Sequence, residues 1–252
     1  MNILLVGMYG HMGQQVVKLA DAGLRGAKVV LGVDPGVAKA DSVCVSSFAE
    51  AESRDISSVS CIIDFSHHSA APALTEFAVK HKLPLIVATT GHTPEEDAMI
   101  RAAAEQIPVF FSANMSLGVA LLVELAKKAA AAMPDAEIEI IEKHHNRKVD
   151  APSGTALMLC HAIEEVRPNA YPVCGRSGHG KRNPDEIGIH AIRMGNIVGE
   201  HEVIIGTQNQ TLTLRHDAHD RALFAEGAIA AADFLQGKPA GLYDMGDIVK
   251  EQ

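Results

Sequence analysis

The chain lacks a surplus of positive charge. Its 252 residues carry 22 lysines and arginines against 31 aspartates and glutamates, a formal net charge of −9 at pH 7. A chain of that sign grips the phosphate backbone of nucleic acid poorly, although a local positive cluster can still hold a small anion. It also lacks a long uncharged apolar run. The most apolar helical stretch, residues 117–133, contains Glu124, Lys127 and Lys128, whereas a membrane span needs about 20 mostly uncharged residues. The opening Met1-Asn2-Ile3-Leu4-Leu5-Val6 carries neither a basic leader nor a small-residue cleavage site. Cysteine is sparse: Cys44, Cys61, Cys160 and Cys174 form no Cys-x-x-Cys pair and no metal-ligand spacing. These features together predict reduced thiols in a cytoplasmic protein, or a plastid one if the source is a plant. Repeats and low-complexity tracts are absent. The composition itself is globular, with 47% hydrophobic and 21% charged residues, so a core can form without disulfide or metal staples.

In the first hundred residues short apolar runs alternate with helical patterns. Residues 2–6, 28–33, 60–65, 85–88 and 109–111 read as strands. Helices are expected after the first glycine turn and over about 70–81 and 94–106. Strands alternating with helices in this way imply βαβ units and a parallel sheet covered on both faces. The first turn, Gly7-x-x-Gly10-x-x-Gly13, is a variant of the dinucleotide fingerprint. Its glycines let the backbone approach a pyrophosphate, and the following helix offers free N–H groups and the positive end of its dipole. Asp34 stands 21 residues beyond Gly13, where an acid hydrogen-bonds an adenosine ribose. The bland alternative is a tight turn with no ligand. A carboxylate at 34 favours a free 2′-hydroxyl over a 2′-phosphate, the next residue is Pro35, and the first base downstream is Lys39. NADH is therefore expected to be favoured over NADPH. Two further loops, Ala88-Thr89-Thr90-Gly91 and Ser112-Ala113-Asn114-Met115, follow strands and could line a nicotinamide slot, but serve as readily as ordinary helix-capping turns.

The second half changes rhythm. Residues 120–132 read as an alanine-rich helix, and residues 137–142 alternate like a half-exposed strand. From 187 to 216 strand-like stretches follow one another. Among them, residues 203–205 and 211–214 flank a polar turn at 208–210, a hairpin pattern. The last helix, about 220–235, suits a return to the first domain. The fold class is thus α/β: an N-terminal Rossmann-like parallel sheet plus an α+β C-terminal domain with a mostly antiparallel or mixed sheet. The expected division is residues 1–115, completed by 220–252, for dinucleotide binding, and residues 116–219 for substrate binding and oligomerisation.

The densest polar cluster runs from Glu142 to Thr155 and holds His144, His145, Arg147 and Lys148. Asp150 or Ser153 can cap the helix that follows, and Pro152 suits its start. The N–H groups near Ser153, Gly154 and Thr155 then form an anion site. A histidine holds or gives a proton near neutral pH, and a lysine neutralises a carboxylate or donates a proton. The cluster points to an anionic substrate protonated during reaction. It is equally the composition of a solvated basic loop. A zinc site at His144-His145 or His67-His68 is disfavoured, because neighbouring side chains on a strand point to opposite faces and no further ligands lie at metal spacing. No metal is expected.

The run Glu139-Ile140-x-Glu142-x-His144-x-x-x-Lys148-x-Asp150-x-Pro152-Ser153-Gly154-Thr155-Ala156 resembles the signature of 4-hydroxy-tetrahydrodipicolinate reductases, also called dihydrodipicolinate reductases. The likeness extends to Asp64-Phe65-Ser66, Ala113-Asn114-Met115-Ser116, the stretch from Arg193 to His201, and Gly241-Leu242-Tyr243-Asp244-Met245. The resemblance implies an NAD(P)H-dependent reductase of the diaminopimelate and lysine route that delivers hydride to C4 of a cyclic unsaturated dicarboxylate. It implies His144 as proton donor and acceptor and Lys148 as proton donor, with His145, Gly154 and Thr155 on the substrate carboxylates. Gly7, Met8, Tyr9, Gly10, His11, Met12, Asp34, Ala88, Thr89, Thr90, Ser112, Ala113, Asn114 and Met115 would hold the cofactor. It further implies a homotetramer joined through the C-terminal sheets, and a hinge that closes the domains. Many members carry Glu-Arg where this chain has Asp34-Pro35, Gly in place of Ala88, and Phe in place of Met115. The alternatives are another Rossmann oxidoreductase of a small imino or keto acid, or a non-catalytic NAD-sensing module.

Overall fold

The computed structural model describes residues 1–36 and 43–251. Lys39, weighed against Asp34 above, lies outside the described residues. The chain divides into two compact units, Met1–Ser116 with Ala222–Gln252, and Leu117–Arg221.

The first unit opens with β1 (Asn2–Val6) and α1 (His11–Asp21), followed by β2 (Lys28–Val33), β3 (Cys44–Val45) and the single turn α2 (Phe48–Ala51). The alternation continues through β4 (Cys61–Asp64), α3 (Ala71–His81), β5 (Leu85–Val87), α4 (Pro94–Ala103) and β6 (Pro108–Phe111). The near-continuous apolar runs of β1, β4 and β5 are what strands buried on both faces require. α4 begins at a capping box between Thr93 and Glu96 and ends at Ala103, short of the expected 106.

The second unit holds α5 (Leu117–Ala132), β7 (Glu137–His144), α6 (Gly154–Glu164), β8 (Tyr171–Cys174), β9 (Glu186–Arg193), β10 (Gly199–Gly206) and β11 (Thr211–Ala218). β10 and β11 form the expected hairpin. The sheet order is β11-β10-β7-β9-β8. β7 pairs antiparallel with β10 but parallel with β9, and β9 pairs parallel with β8. The sheet is therefore evenly mixed rather than mostly antiparallel. Helix α6 lies between β7 and β8 in sequence, a crossover of the kind that parallel neighbours need. Ile138, Ile140, Ile187, Ile189, Val203 and Ile205 meet the apolar side of α5 and α6 in one core.

The chain then returns to the first unit with α7 (Ala222–Phe234), β12 (Gly241–Tyr243) and α8 (Met245–Lys250). β12 adds to β6, and the first sheet has the order β12-β6-β5-β4-β1-β2-β3, with every pairing parallel. The strand order reverses beside β1, where doubly wound sheets bind ligands at the carboxyl ends. Gly227 of α7 sits directly on the carbonyl of Met115, with no room for a Cβ.

Candidate active site

In the first unit the turn after β1 is built around glycine. Gly7 has φ +78°, and a Cβ there would come within 2.6 Å of the Phe65 carbonyl oxygen. A Cβ on Gly13 would run into the carbonyl of Gly7. Gly10 precedes α1 without any side-chain cap, and the first turn of α1, with His11 and Met12, holds no acid. The helix N-terminus thus keeps N–H groups for an anion. These residues fit a dinucleotide. Met8 is buried against Gly32, while Tyr9 is exposed. Asp34 ends β2 with its carboxylate already engaged: Oδ2 accepts from the Tyr9 N–H at 2.8 Å and Oδ1 from the Gly36 N–H at 2.9 Å. It therefore holds the glycine turn in shape.

The two other loops follow β5 and β6. Ala88 donates its N–H to the carbonyl of Asp64 at 3.0 Å. Asp64 is buried and accepts from the Ser66 N–H at 3.0 Å; burial pushes its carboxyl above the ordinary range. Thr89, Thr90 and Ala113 line a pocket of about 370 Å³ together with His92, Arg101 and Phe111. Ser112 donates to the Asn114 carbonyl at 2.9 Å, and Asn114 Oδ1 accepts from the Ser116 N–H at 2.9 Å, which folds the loop back before the buried Met115.

In the second unit the sequence cluster becomes a hydrogen-bonded site. β7 alternates, so Glu142 and His144 share its inner face, and both are buried, at 0% and 8% exposure. His144 Nδ1 lies 2.6 Å from Glu142 Oε2. Arg193, on the neighbouring β9, donates to both carboxylate oxygens at 2.7 and 2.6 Å. The Ser153 N–H donates to Glu142 Oε1 at 3.0 Å. Burial works against the Glu142 charge, but hydrogen bonds from Arg193, His144 and Ser153 prevail and hold its carboxyl below the ordinary range. An ionised carboxylate only accepts, so His144 carries a proton on Nδ1, and Nε2 is the ring nitrogen away from Glu142. A side chain at 199 would crowd that Nε2, 3.0 Å from a Cβ on Gly199.

Two more histidines flank this pair. His201 on β10 is edge-on to the His144 ring, at 5.1 Å, with Nε2 3.1 Å from Ser153 Oγ. Burial, helped by the charge of His144, drops its pKa to about 4, so it is neutral at pH 7. His145 leaves the strand with its N–H on the Ile197 carbonyl at 2.8 Å. Desolvation and the charges of Arg147 and Arg221 hold its imidazole below the usual value. Its Nε2 faces the Arg221 guanidinium at 3.4 Å, and its buried Nδ1 has no partner among the described residues.

Ser153 is the cap of α6, its Oγ accepting from the Ala156 N–H at 3.2 Å. Pro152 therefore stands before the cap rather than inside the helix, and Asp150 does not cap; it pairs with Lys148 at 2.8 Å. The first turn, Gly154 and Thr155, has no acid, and space is open beside Gly154. The structure thus brings His144, His145, Lys148, Gly154 and Thr155 into one hydrogen-bonded region. It adds three residues to which the sequence reading gave no role: Glu142, Arg193 and His201. All three stand in the motif runs quoted above, but nothing in their spacing shows that they meet. His68 pairs with Glu96 at 2.8 Å. Among the described residues no group of three or more His, Cys, Asp or Glu is placed to hold a metal ion.

A doubly wound sheet with a glycine turn and uncapped helix, joined in one chain to a buried histidine–carboxylate pair, defines a nicotinamide-dependent oxidoreductase of the Rossmann type. Comparison with known proteins gives the family. Residues 1–115 match the model described as dihydrodipicolinate reductase, N-terminus, and residues 118–249 the model of its C-terminus. The chain belongs to the dihydrodipicolinate reductase family, reductases of the diaminopimelate and lysine pathway. It is 45% identical over 253 residues to the 4-hydroxy-tetrahydrodipicolinate reductase of Caldanaerobacter subterraneus subsp. tengcongensis, covering 99% of this chain and 98% of the relative. It is 42% identical over 248 residues to that of Clostridium tetani, covering 97% and 95%. The dipicolinate-bound dihydrodipicolinate reductase from Paenisporosarcina sp. TG-14 shares the fold, with a TM-score of 0.79 at 24% identity over 98% of each chain.

Proposed function

We propose that the chain reduces 4-hydroxy-tetrahydrodipicolinate, by way of dihydrodipicolinate, to tetrahydrodipicolinate, and that it favours NADH over NADPH. The observation that carries the reading is His144: its Nδ1 is fixed by a buried carboxylate, and its Nε2 is left for proton exchange. The dinucleotide, when bound, supplies the hydride that reaches C4 of the ring. Gly7 to Met12 cradle its pyrophosphate, Asp34 accepts from the ribose, and Ala88, Thr89, Thr90 and Ser112 to Met115 bound the nicotinamide end. The substrate carboxylates lie on the N–H groups of Gly154 and Thr155 and on Nδ1 of His145, which has no partner among the described residues. The reduced ring then needs one proton at the carbon next to C4. His144, from Nε2, or Lys148 gives that one proton, and the donor regains it from water.

A small dicarboxylate is the ligand class this site suits, and the Paenisporosarcina enzyme is dipicolinate-bound. The proposed assembly is a homotetramer joined through the sheet of the second unit. Its face away from α5 and α6 carries Ile141, Ile192 and Ile204, all partly exposed. Among the described residues no helix is long and apolar enough to cross a membrane; the proposed compartment is the cytoplasm.

The test follows NADH and NADPH oxidation with substrate made in place from pyruvate and aspartate semialdehyde by the upstream synthase. Oxidation depends on the synthase, and kcat/KM is higher with NADH. His144→Gln lowers kcat about 10²–10⁴-fold with KM little changed, and Lys148→Ala lowers kcat and raises KM. Asp34→Ala narrows the NADH preference and weakens both cofactors, because the Tyr9 N–H loses its acceptor. Wild-type kcat/KM in His144→Gln, or turnover only of an unrelated imino acid, defeats the reading.

A further inference from the structure

Glu142 is a buried carboxylate that makes four contacts. Oε2 takes His144 Nδ1 and one Arg193 nitrogen; Oε1 takes the other Arg193 nitrogen and the Ser153 N–H. Each contact leads to a different part of the site. His144 is the proton carrier. The Ser153 N–H belongs to the cap residue of α6, so this contact fixes where the helix N-terminus begins. The Arg193 nitrogen that donates to Oε1 also donates to the Asp150 carbonyl at 2.7 Å, and the Asp150 carboxylate holds Lys148 at 2.8 Å. Proton carrier, anion-binding helix end and lysine loop all converge on one side chain.

A buried ion pair is weak evidence for stability alone, because desolvating both charges offsets much of their attraction. Two apolar side chains of similar volume would fill this place in a core as well. They would not fix the tautomer of His144, nor supply an acceptor for the Ser153 N–H. Groups that orient a reacting residue through a buried hydrogen bond act in this way at metal and catalytic sites alike.

We propose that Glu142, with Arg193 as its counter-ion, is the positioning residue of this site, setting the His144 ring and the start of α6 in one frame. The proposal rests on the roles given above to His144 and the α6 N-terminus. Glu142 touches neither substrate nor dinucleotide in it; it acts through its neighbours. Two consequences follow together. Without the carboxylate, His144 loses the group that fixes its Nδ1 proton. The α6 start also loses its anchor, so substrate affinity falls with turnover. His144→Gln removes only the first.

The charged and titratable groups facing His144 are Glu142 on its own strand, Arg193 on β9 and His201 on β10, with Lys148 and His145 in the loop that follows β7. His201 stays neutral above about pH 4, and the Glu142 carboxylate holds Arg193 positive.

The first experiment uses the wild-type protein with ¹⁵N-labelled histidine. The expected spectrum contains a downfield proton on Nδ1 of His144, identified by its absence in His144→Gln. A neutral His144 protonated on Nε2 instead overturns the proposal, whatever the activity of any variant. The second experiment uses Glu142→Gln, with the circular dichroism spectrum and melting temperature as the check on folding and NADH affinity as the check on the other unit. The expected variant binds NADH with unchanged Kd and loses the downfield signal. Its kcat falls about 100-fold or more, as for lost general acid catalysis, and KM for the dicarboxylate rises several-fold. A folded variant that keeps the wild-type Nδ1 signal and KM overturns the proposal. Failure of the underlying reading shows separately, as an active His144→Gln.

Discussion

His201 is a histidine that the fold keeps uncharged. It is 4% exposed, its ring stands edge-on to His144, and its pKa falls from 6.5 to about 4. In the unfolded chain the same imidazole binds a proton near pH 6.5. Between those values the unfolded state holds more protons, so stability is complete above about pH 6.5 and declines as pH falls toward 4. The group's share is about 3 kcal/mol at most. Thermal melts from pH 7 to 4 are expected to show this decline, and His201→Gln to flatten it; equal slopes in both proteins would remove His201 from the account. Arg193 belongs to the same scale but has the opposite character, since it keeps a buried charge paired rather than a ring neutral. Neither role was legible in the sequence. Arg193 stands 51 residues from Glu142, and the two meet only because β7 and β9 run parallel in a register that sets His144 opposite Arg193. His144 and Lys148, by contrast, were named from their motif, and His145 from its place beside them.

Among elements, α6 shows how a site can be placed by a helix start. Its cap is Ser153, its first turn carries no acid, and its third residue, Ala156, donates to the cap oxygen. Ser153→Ala is expected to cost about 1 kcal/mol of stability, the usual worth of an N-cap. It should raise KM for the dicarboxylate while leaving NADH affinity unchanged; an unchanged KM would detach the helix start from substrate binding. The Ser–Gly–Thr pattern made this helix legible, but which residue caps it was not, because Asp150 and Ser153 are both good caps and only the pairing of Asp150 with Lys148 decides between them. The longer strands were read within a few residues of their bounds. β3 and β12 were missed because strands of two and three residues have no period to detect. The mixed character of the second sheet was half-read. Hairpin chemistry announces β10 and β11, whereas nothing local announces that β9 enters parallel to β7.

For the molecule as a whole, the division into two units keeps the residues proposed to hold the dinucleotide and the proposed proton carriers on separate cores. Substitutions in one unit should leave the ligand of the other undisturbed in equilibrium binding, so Glu142 and Ser153 variants are expected to keep the wild-type NADH affinity. The proposed tetramer is tested by light scattering during gel filtration, with a mass of about four chains expected and Ile192→Lys expected to lower it. A single-chain mass for the wild type would refute the assembly. The first unit is also discontinuous: α7, β12 and α8 complete it, and Ala225, Ala228, Ile229 and Ala232 of α7 are wholly buried in it. On the ribosome the order of completion is therefore inverted. The part of the chain made first must wait, glycine turn and all, until the intervening unit has been synthesised and the last helices emerge to close it.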